Sequence, residues 1–245
     1  MFDLRWPRLS LLLAPAAVAA VAGCGGSASQ ASPGQAGASS AVAQAGDVAQ
    51  AGKAGYGALR LRSALLTKIN GIAPAMPAEF GSYSALPEVQ ATRQSMRGVA
   101  VTPSKCAQAS VGGFNSPALG TSPAAVVTFR VGRNGVSEVL VAPSHSAALA
   151  ALTEQVPAGC ERYRASLDGK SFTYTVRESW ISGIGDQARM LNVHAGGYQQ
   201  VNVWSVVYRG DGFVGAVTVV GPDATQAAVR QLGGQAYADA VRSLS

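Results

Sequence analysis

The sequence is poor in charged residues and in residues that could form a catalytic or metal site. Only 13% of its 245 residues are charged, and it has two histidines and three cysteines, with no Cys-x-x-Cys pair. Gly183-Ile184-Gly185-Asp186 lacks the third glycine and the following helix of a dinucleotide-binding loop. No Gly-x-Ser-x-Gly turn accompanies His145 or His194, which are predicted to lie at the surface. The sequence therefore predicts no cofactor, no metal site and no enzymatic activity.

The N-terminal segment lacks an apolar run long enough to cross a membrane. A spanning helix needs about 20 apolar residues, whereas the run over residues 9–22 is shorter and is interrupted by Pro15. Arg5 and Arg8 precede this run and small residues follow it, which is the pattern of an export signal. Residues 1–23 are therefore predicted to be a signal peptide.

A cysteine follows this signal directly. The stretch Val21-Ala22-Gly23-Cys24 resembles the lipobox of bacterial lipoproteins, in which a diacylglyceryl group is attached to the cysteine and the signal is cleaved just before it. The alternative is a secreted protein with a chance cysteine. Cys24 is predicted to be the lipidation site, and two or more acyl chains such as palmitate would anchor it stably. The predicted location is the extracytoplasmic face of the cell membrane.

Residues 24–57 contain almost no large apolar side chain. They are nearly all Gly, Ala, Ser and Gln, so they cannot bury enough surface to offset the entropy lost on ordering. We predict a flexible, lipid-anchored tether. A random coil of about 30 residues has an r.m.s. reach of about 30 Å.

The remaining residues, 58–245, are enough for one globular domain. The formal net charge of the chain is +6, but its basic residues are scattered and form no run. This distribution argues against nucleic acid as a partner. It favours anionic partners at the cell surface, such as the membrane leaflet or acidic envelope polymers.

Two cysteines, Cys106 and Cys160, remain once Cys24 is set aside. An even pair in an exported chain predicts a disulfide. The alternative, a metal site, lacks a Cys-x-x-Cys pair and a nearby pair of histidines. The disulfide is the preferred interpretation.

Periodicity predicts strands joined by short glycine turns, together with three helices. The predicted strands are residues 124–131, 136–141, 171–180, 188–194, 198–208 and 213–220. The predicted helices are residues 59–70, 144–155 and 223–244. Asp223 is expected to begin the last helix, which Gly233-Gly234 should kink or split. Short turns join antiparallel neighbours, so the predicted fold is α+β: one domain with an antiparallel β-sheet packed against helices and one disulfide.

Several motifs of the second half resemble those of a known group of proteins. They are Trp180, the turn Gly183-Ile184-Gly185-Asp186-Gln187-Ala188, and the turn Tyr208-Arg209-Gly210-Asp211-Gly212-Phe213-Val214, followed by the closing helix. This pattern resembles uncharacterised lipoproteins of actinobacteria. These are similar in turn to the extracellular sensor domains of transmembrane serine/threonine kinases. The resemblance implies an extracytoplasmic binding or sensing role and names no ligand.

Aromatic residues of the second half are the candidate ligand-binding residues. They are Trp180, Trp204, Tyr174, Tyr198 and Tyr208. If they line a cleft, they could stack on a sugar or hold an apolar ligand; if a helix covers them, they belong to the core.

Three function classes follow from these observations. The preferred one is a membrane-anchored lipoprotein with a ligand-binding or sensor-like domain, which predicts an apolar cavity on the aromatic face of the sheet. The alternative is a structural or protein-interaction lipoprotein of the cell envelope, which predicts a solid core and an exposed apolar patch. An enzyme would instead show titratable residues converging in a cleft.

Overall fold

A computed structural model describes residues 55–109, 114, 116–197 and 200–245. The predicted signal peptide, Cys24 and nearly all of the tether lie outside these residues. The strands are β1 Glu79–Ser82, β2 Ala100–Thr102, β3 Pro123–Val131, β4 Asn134–Val141, β5 Arg162–Leu167, β6 Lys170–Ile181, β7 Gln187–Gly197, β8 Val201–Gly210 and β9 Phe213–Gly221. The α-helices are α1 Ala58–Ser63, α2 Pro87–Met96, α3 His145–Thr153 and α4 Gln226–Leu244. Short 3₁₀ helices span Tyr83–Ala85, Ser104–Gln108 and Pro117–Leu119.

The nine strands form one sheet in the order β1-β3-β4-β9-β8-β7-β6-β5-β2. Every neighbouring pair is antiparallel. Tight turns make this possible: Asp168 and Gly169, between β5 and β6, have φ values of 49° and 73°. Positive φ at both central residues is the signature of a two-residue hairpin turn. The predicted α+β fold is confirmed.

Helices α1 and α4 cover one face of the sheet, called here the α4 side. Alternation along β8 directs Trp204, Val206 and Tyr208 towards this side, and Val206 and Tyr208 are fully buried. Gly233 of α4 lies directly over Val206, where an added Cβ would come within 3.1 Å of its side chain. A residue without a side chain therefore lets α4 approach the sheet closely.

The opposite face carries α3 and the segment that contains the disulfide. Of the two serines placed to cap α3, Ser144 and Ser146, Ser144 does so, because its Oγ accepts a hydrogen bond from the Ala147 N–H at 3.3 Å. Cys106 and Cys160 form the predicted disulfide, with a Cα–Cα distance of 5.3 Å, and both are fully buried. They belong to a cluster of buried side chains from β5, β6, β7 and β8. The disulfide thus ties the segment after the edge strand β2 to the segment before β5, its neighbour in the sheet.

Four local features differ from the predictions. Helix α1 ends at Ser63 instead of continuing to Asn70, although Leu66 and Ile69 are still buried. Helix α4 is not split at its glycines. It is capped by Thr225, whose hydroxyl accepts from the Ala228 N–H, while Asp223 binds Arg133. Strand β5 was missed, because its segment of arginines, small residues and one tyrosine has little apolar character.

The two glycines of α4 provide a matched test of helix packing. Gly234→Ala is expected to raise the free energy of unfolding by about 0.5–1 kcal/mol, since alanine is the better helix former and an added Cβ there would touch nothing within 4 Å. Gly233→Ala should lack this gain, because its Cβ would crowd Val206. Urea unfolding of both variants checks the expectation. Equal stabilisation by the two changes would mean that Gly233 does not set the approach of α4.

Candidate functional site

The predicted aromatic residues do not gather in one place. Tyr208 is fully buried beneath α4, whereas Tyr174 lies on the opposite face, stacked on Tyr163 with ring centroids 5.0 Å apart. Trp204 is partly buried on the α4 side, and Trp180 is 52% exposed on the opposite face. Tyr198 lies outside the described residues. The alternation of β6 and β8 therefore divides the described four between the two faces.

The expected apolar cavity at the aromatic face is filled where the structure describes it. The Tyr208 ring meets those of Phe213 and Tyr237 at centroid distances of 6.4 and 5.8 Å. A cleft of about 110 Å³ lies instead between α4 and the β3–β4 hairpin. Its lining includes Asn70, Asn134 and Gln231 and none of the five predicted aromatic residues. Drug-sized ligands occupy about 300–1,000 Å³, so this cleft is too small for them.

Beyond α4, the same side of the sheet continues as a polar surface that no other described helix covers. We call it the arginine face. It consists of the residues of β5 to β8 that alternation directs to the α4 side beyond the apolar core: Arg162, Arg164, Thr173, Thr175, Arg177, Asn192, His194, Asn202 and Trp204. Their pairing across the four strands places them on one continuous surface.

The arginine face begins where the covering helix ends. Helix α4 packs on β8 and β9, and Trp204 of β8 is packed against the apolar core beneath it while remaining partly exposed. On β7 the residues that pair with Trp204 and Asn202 are Asn192 and His194, both partly exposed. The change from apolar to polar side chains thus coincides with the edge of α4. This surface is open to solvent and is not an enclosed pocket.

The charge of the arginine face has one sign. Arg162, Arg164 and Arg177 are exposed, and none forms an ion pair within the described part of the chain. The α4-side positions of β5 to β8 contain no Asp or Glu. Glu178 of β6 points to the opposite face, where it meets Arg189. Since no carboxylate neutralises these guanidinium groups, the surface is suited to binding anions.

Polar side chains of β7 and β8, beside the arginines, are held in place by hydrogen bonds. His194 Nδ1 lies 2.7 Å from Asn202 Oδ1 on the neighbouring strand. The Asn192 side-chain amide donates to the Val203 carbonyl at 3.1 Å. With Nδ1 donating to the amide oxygen, Nε2 of His194 is left to interact with a ligand. The floor of the arginine face therefore carries fixed hydrogen-bonding groups.

A buried carboxyl group lies under α1 and α4. Glu138 of β4 is 1% exposed, and its Oε2 accepts from the Leu66 N–H at 2.7 Å. Burial raises the pKa of Glu138 to about 8, the hydrogen bond from Leu66 opposes this rise, and the charge of Asp239 adds to it. Burial, with the nearby Glu138, also raises the pKa of Tyr208 well above its ordinary value. Both side chains lie inside the core.

A second buried charge fastens the loop after α3. Arg189 of β7 is 2% exposed; its Nη1 donates to the Glu154 carbonyl and lies 3.3 Å from Glu178 Oε2. Glu178 Oε1 accepts from the Val156 N–H at 3.2 Å. Burial lowers the pKa of Arg189, opposed by the charges of Glu178 and Glu154. These contacts tie residues 154–156 to the sheet.

Other kinds of site receive no support from the described residues. Within them, no group of three or more His, Cys, Asp or Glu side chains could hold a metal ion. No described helix has the length and apolar character needed to cross a membrane. Glycines 210, 212 and 215 have the spacing of a dinucleotide-binding loop, but Gly210 ends β8 and the two-residue turn leads into β9. They form a hairpin instead of preceding a helix.

The arginine face was not predicted from the sequence. Arg162 and Arg164 lie on β5, where the periodicity predicts no strand. Arg177 lies within a predicted strand, but nothing in the sequence marks it as a binding residue. A usable signal was the alternation Arg162-Tyr163-Arg164-Ala165, in which polar and apolar residues take turns at period two. The remaining information, that none of the described helices covers these strands on the α4 side, lies in the tertiary packing.

Comparisons with known proteins yield structural neighbours only. Neither a protein-family profile nor a curated protein sequence matches the chain. A solved structure of an uncharacterized protein from Mycobacterium smegmatis is similar, with a TM-score of 0.39 and 19% identity over 59% of this chain and 77% of that one. The extracellular domain of PknH from Mycobacterium tuberculosis is similar with a TM-score of 0.53 and 12% identity, covering 79% of this chain and 98% of that one. The resemblance to the extracellular domain of a kinase is thus confirmed at the level of the fold.

Proposed function

We propose that this chain is a lipid-anchored extracytoplasmic protein whose folded domain binds a ligand of the cell envelope on the arginine face, as a sensor-like module without catalytic activity. The observation that carries the proposal is the uncovered face itself. Three exposed arginines and a row of hydrogen-bonded polar side chains lie on one side of four adjacent strands. The strand positions on this side include no Asp or Glu. Antiparallel sheets often leave one polar face in water, so the proposal depends on the charge of this face: its exposed cations meet no carboxylate at the same strand positions, which favours an anionic ligand.

The proposed location has two sources of support. One is the N-terminal pattern, with its signal-like segment and Cys24 followed by a tether-like stretch. The other is the fold shared with a domain that is extracellular in PknH. A tether of the predicted length would let the domain reach partners near the membrane surface.

The alternative proposal, an interaction or structural lipoprotein, is favoured by a different observation. The core beneath α4 is filled with aromatic rings, and Trp180 is 52% exposed on the opposite face. Exposed tryptophan side chains are common anchors at protein interfaces. On this alternative the partner protein would contact Trp180, and changes on the arginine face would not affect binding.

Native mass spectrometry of the domain, purified from its own envelope without the tether, tests the binding function. We expect a reproducible added mass that Arg164→Gln reduces and Trp180→Ala leaves in place. An added mass that responds only to Trp180→Ala would favour the interaction protein. A clean unliganded mass in repeated preparations of the parent domain would contradict ligand binding.

The anchor is tested on the full chain. The mature protein is expected to begin at Cys24 and to carry the mass of a diacylglyceryl group, which Cys24→Ala should abolish together with membrane retention. Intact-mass measurement of both forms from a bacterial membrane fraction checks this. An unmodified mature chain that begins at any other residue would rule out the lipoprotein proposal.

A further inference from the structure

We infer that the ligand of the arginine face is an acidic polysaccharide, bound along the strands by its carboxylate or phosphate groups. This inference rests on the proposed function and assigns the chemical class of its ligand. It follows from the spacing of the arginines, from the polar groups beside them and from the scarcity of exposed large apolar side chains on this face.

The three arginines form a line. Arg162 of β5 pairs with Thr175 of β6, and Arg164 pairs with Thr173. Arg177 lies two residues beyond Thr175 on β6, so the order along the strand axis is Arg177, Arg162, Arg164. Two residues of a strand span about 7 Å and neighbouring strands are about 4.8 Å apart. The attachment points of the guanidinium groups therefore advance in steps of about 7 Å along the axis, which suits a chain with repeated charges better than a single compact anion.

The side chains beside this line suit a polymer rich in hydroxyl groups. The cross-strand row from Arg162 continues through Thr175 and His194 to Asn202. Hydroxyl, imidazole and amide groups can each exchange hydrogen bonds with sugar hydroxyls. At the end of the next row, which passes through Arg177 and Asn192, Trp204 is partly exposed and offers a flat ring against which a sugar can pack.

A membrane surface fits this face less well. Binding to an interface depends on apolar side chains that enter it as well as on cations. The exposed large apolar residues among those described are Leu59, Ile72, Phe80, Trp180 and Val241. None of them belongs to the arginine face, whose one large apolar side chain, Trp204, is only partly exposed. Arginine also favours flat, bidentate contacts with carboxylates and phosphates, which a polyanionic chain presents repeatedly.

The test measures binding of the folded domain to defined polymers by isothermal titration calorimetry. The probes are polygalacturonate as an acidic polysaccharide, dextran as a neutral one, and vesicles of phosphatidylglycerol and phosphatidylcholine. The variant Arg162→Gln, Arg164→Gln, Arg177→Gln is compared with a control of equal net charge, Arg97→Gln, Arg130→Gln, Arg242→Gln. All six arginines are exposed, so both variants should fold, and circular dichroism verifies this.

We expect binding to polygalacturonate and none to dextran. The face variant should weaken the affinity about tenfold or more, while the control should change it less than about threefold. An equal loss in both variants would show that net charge alone binds the polymer and would overturn the inference. Binding to vesicles but not to polygalacturonate, with the same sensitivity to the face variant, would overturn the polysaccharide class and leave the binding face in place. If the domain binds none of these probes but carries an added mass when purified from its own envelope, the polysaccharide class is rejected and the proposed binding function is not.

Discussion

Replacing Cys106 and Cys160 together by alanine is expected to lower the free energy of unfolding by about 4 kcal/mol. The disulfide closes a loop across a sequence separation of 54 residues, and it restricts the unfolded chain by roughly this amount in the chain-entropy model. Domains of this size are stable by about 5–15 kcal/mol. The loss would therefore remove a large part of the total, and urea unfolding of the two proteins measures it.

Alanine is the suitable replacement because both positions are fully buried, and serine would add unpaired hydroxyl groups to the core. Reduction of the parent protein provides the control, since it breaks the same bond without changing the side-chain volume. Both treatments should lower the urea midpoint. A midpoint that neither treatment moves would mean that the disulfide does not contribute to the stability of the β2–β5 end of the sheet.

Glu138 is expected to make the stability of the domain fall as the pH rises. Its pKa is raised to about 8 in the folded protein, so the protonated carboxyl group is favoured there. The stability contributed by the protonated Glu138 side chain is fully present at low pH. It begins to fall when the pH exceeds the pKa of this glutamate in the unfolded chain, and it is lost as the pH rises through about 8. The loss is on the order of 4 kcal/mol and accumulates between about pH 5 and pH 8, at about 1.4 kcal/mol for each pH unit.

Glu138→Gln isolates this effect, because glutamine can still accept the Leu66 N–H bond and carries no charge. The difference in unfolding free energy between the variant and the parent should shift in favour of the variant as the pH rises. Glu161→Gln, at an exposed carboxylate, should leave the pH dependence of the parent unchanged. If the parent and Glu138→Gln show the same pH dependence, the carboxyl group of Glu138 is not buried as described.

Local sequence patterns were sufficient for much of the fold. Alternation along β8 assigned Val206 and Tyr208 to one face and Val203 and Val207 to the other, as observed. A serine at this position, Ser144 or Ser146, indicates the start of α3, because a helix cap depends only on the residues nearest to it. Helix α1 was overextended, since the apolar spacing of Leu65, Leu66 and Ile69 looks helical although tertiary packing buries these residues in a non-helical segment. Such burial is not encoded in periodicity.

The candidate site was harder to predict because it depends on packing between distant segments. Tyr208 and Trp204 alternate identically along β8, yet α4 buries the first completely and leaves the second at its edge. Arg162 and Arg177 come together only because β5 pairs with β6 in a particular register. Neither the coverage by α4 nor the register can be read from a single sequence. The sequence therefore indicates the aromatic residues as candidates for ligand binding and does not indicate the arginines.

The central claim is that the arginine face binds an envelope ligand, and arginine footprinting tests it most directly. The folded domain is treated with phenylglyoxal, which modifies exposed guanidinium groups, with and without its own envelope fraction, and peptide masses report the modification of each arginine. We predict that the envelope fraction protects Arg162, Arg164 and Arg177 while Arg97, exposed at the end of α2, reacts equally in both samples. Equal reactivity of all four arginines with and without the envelope fraction would contradict the claim.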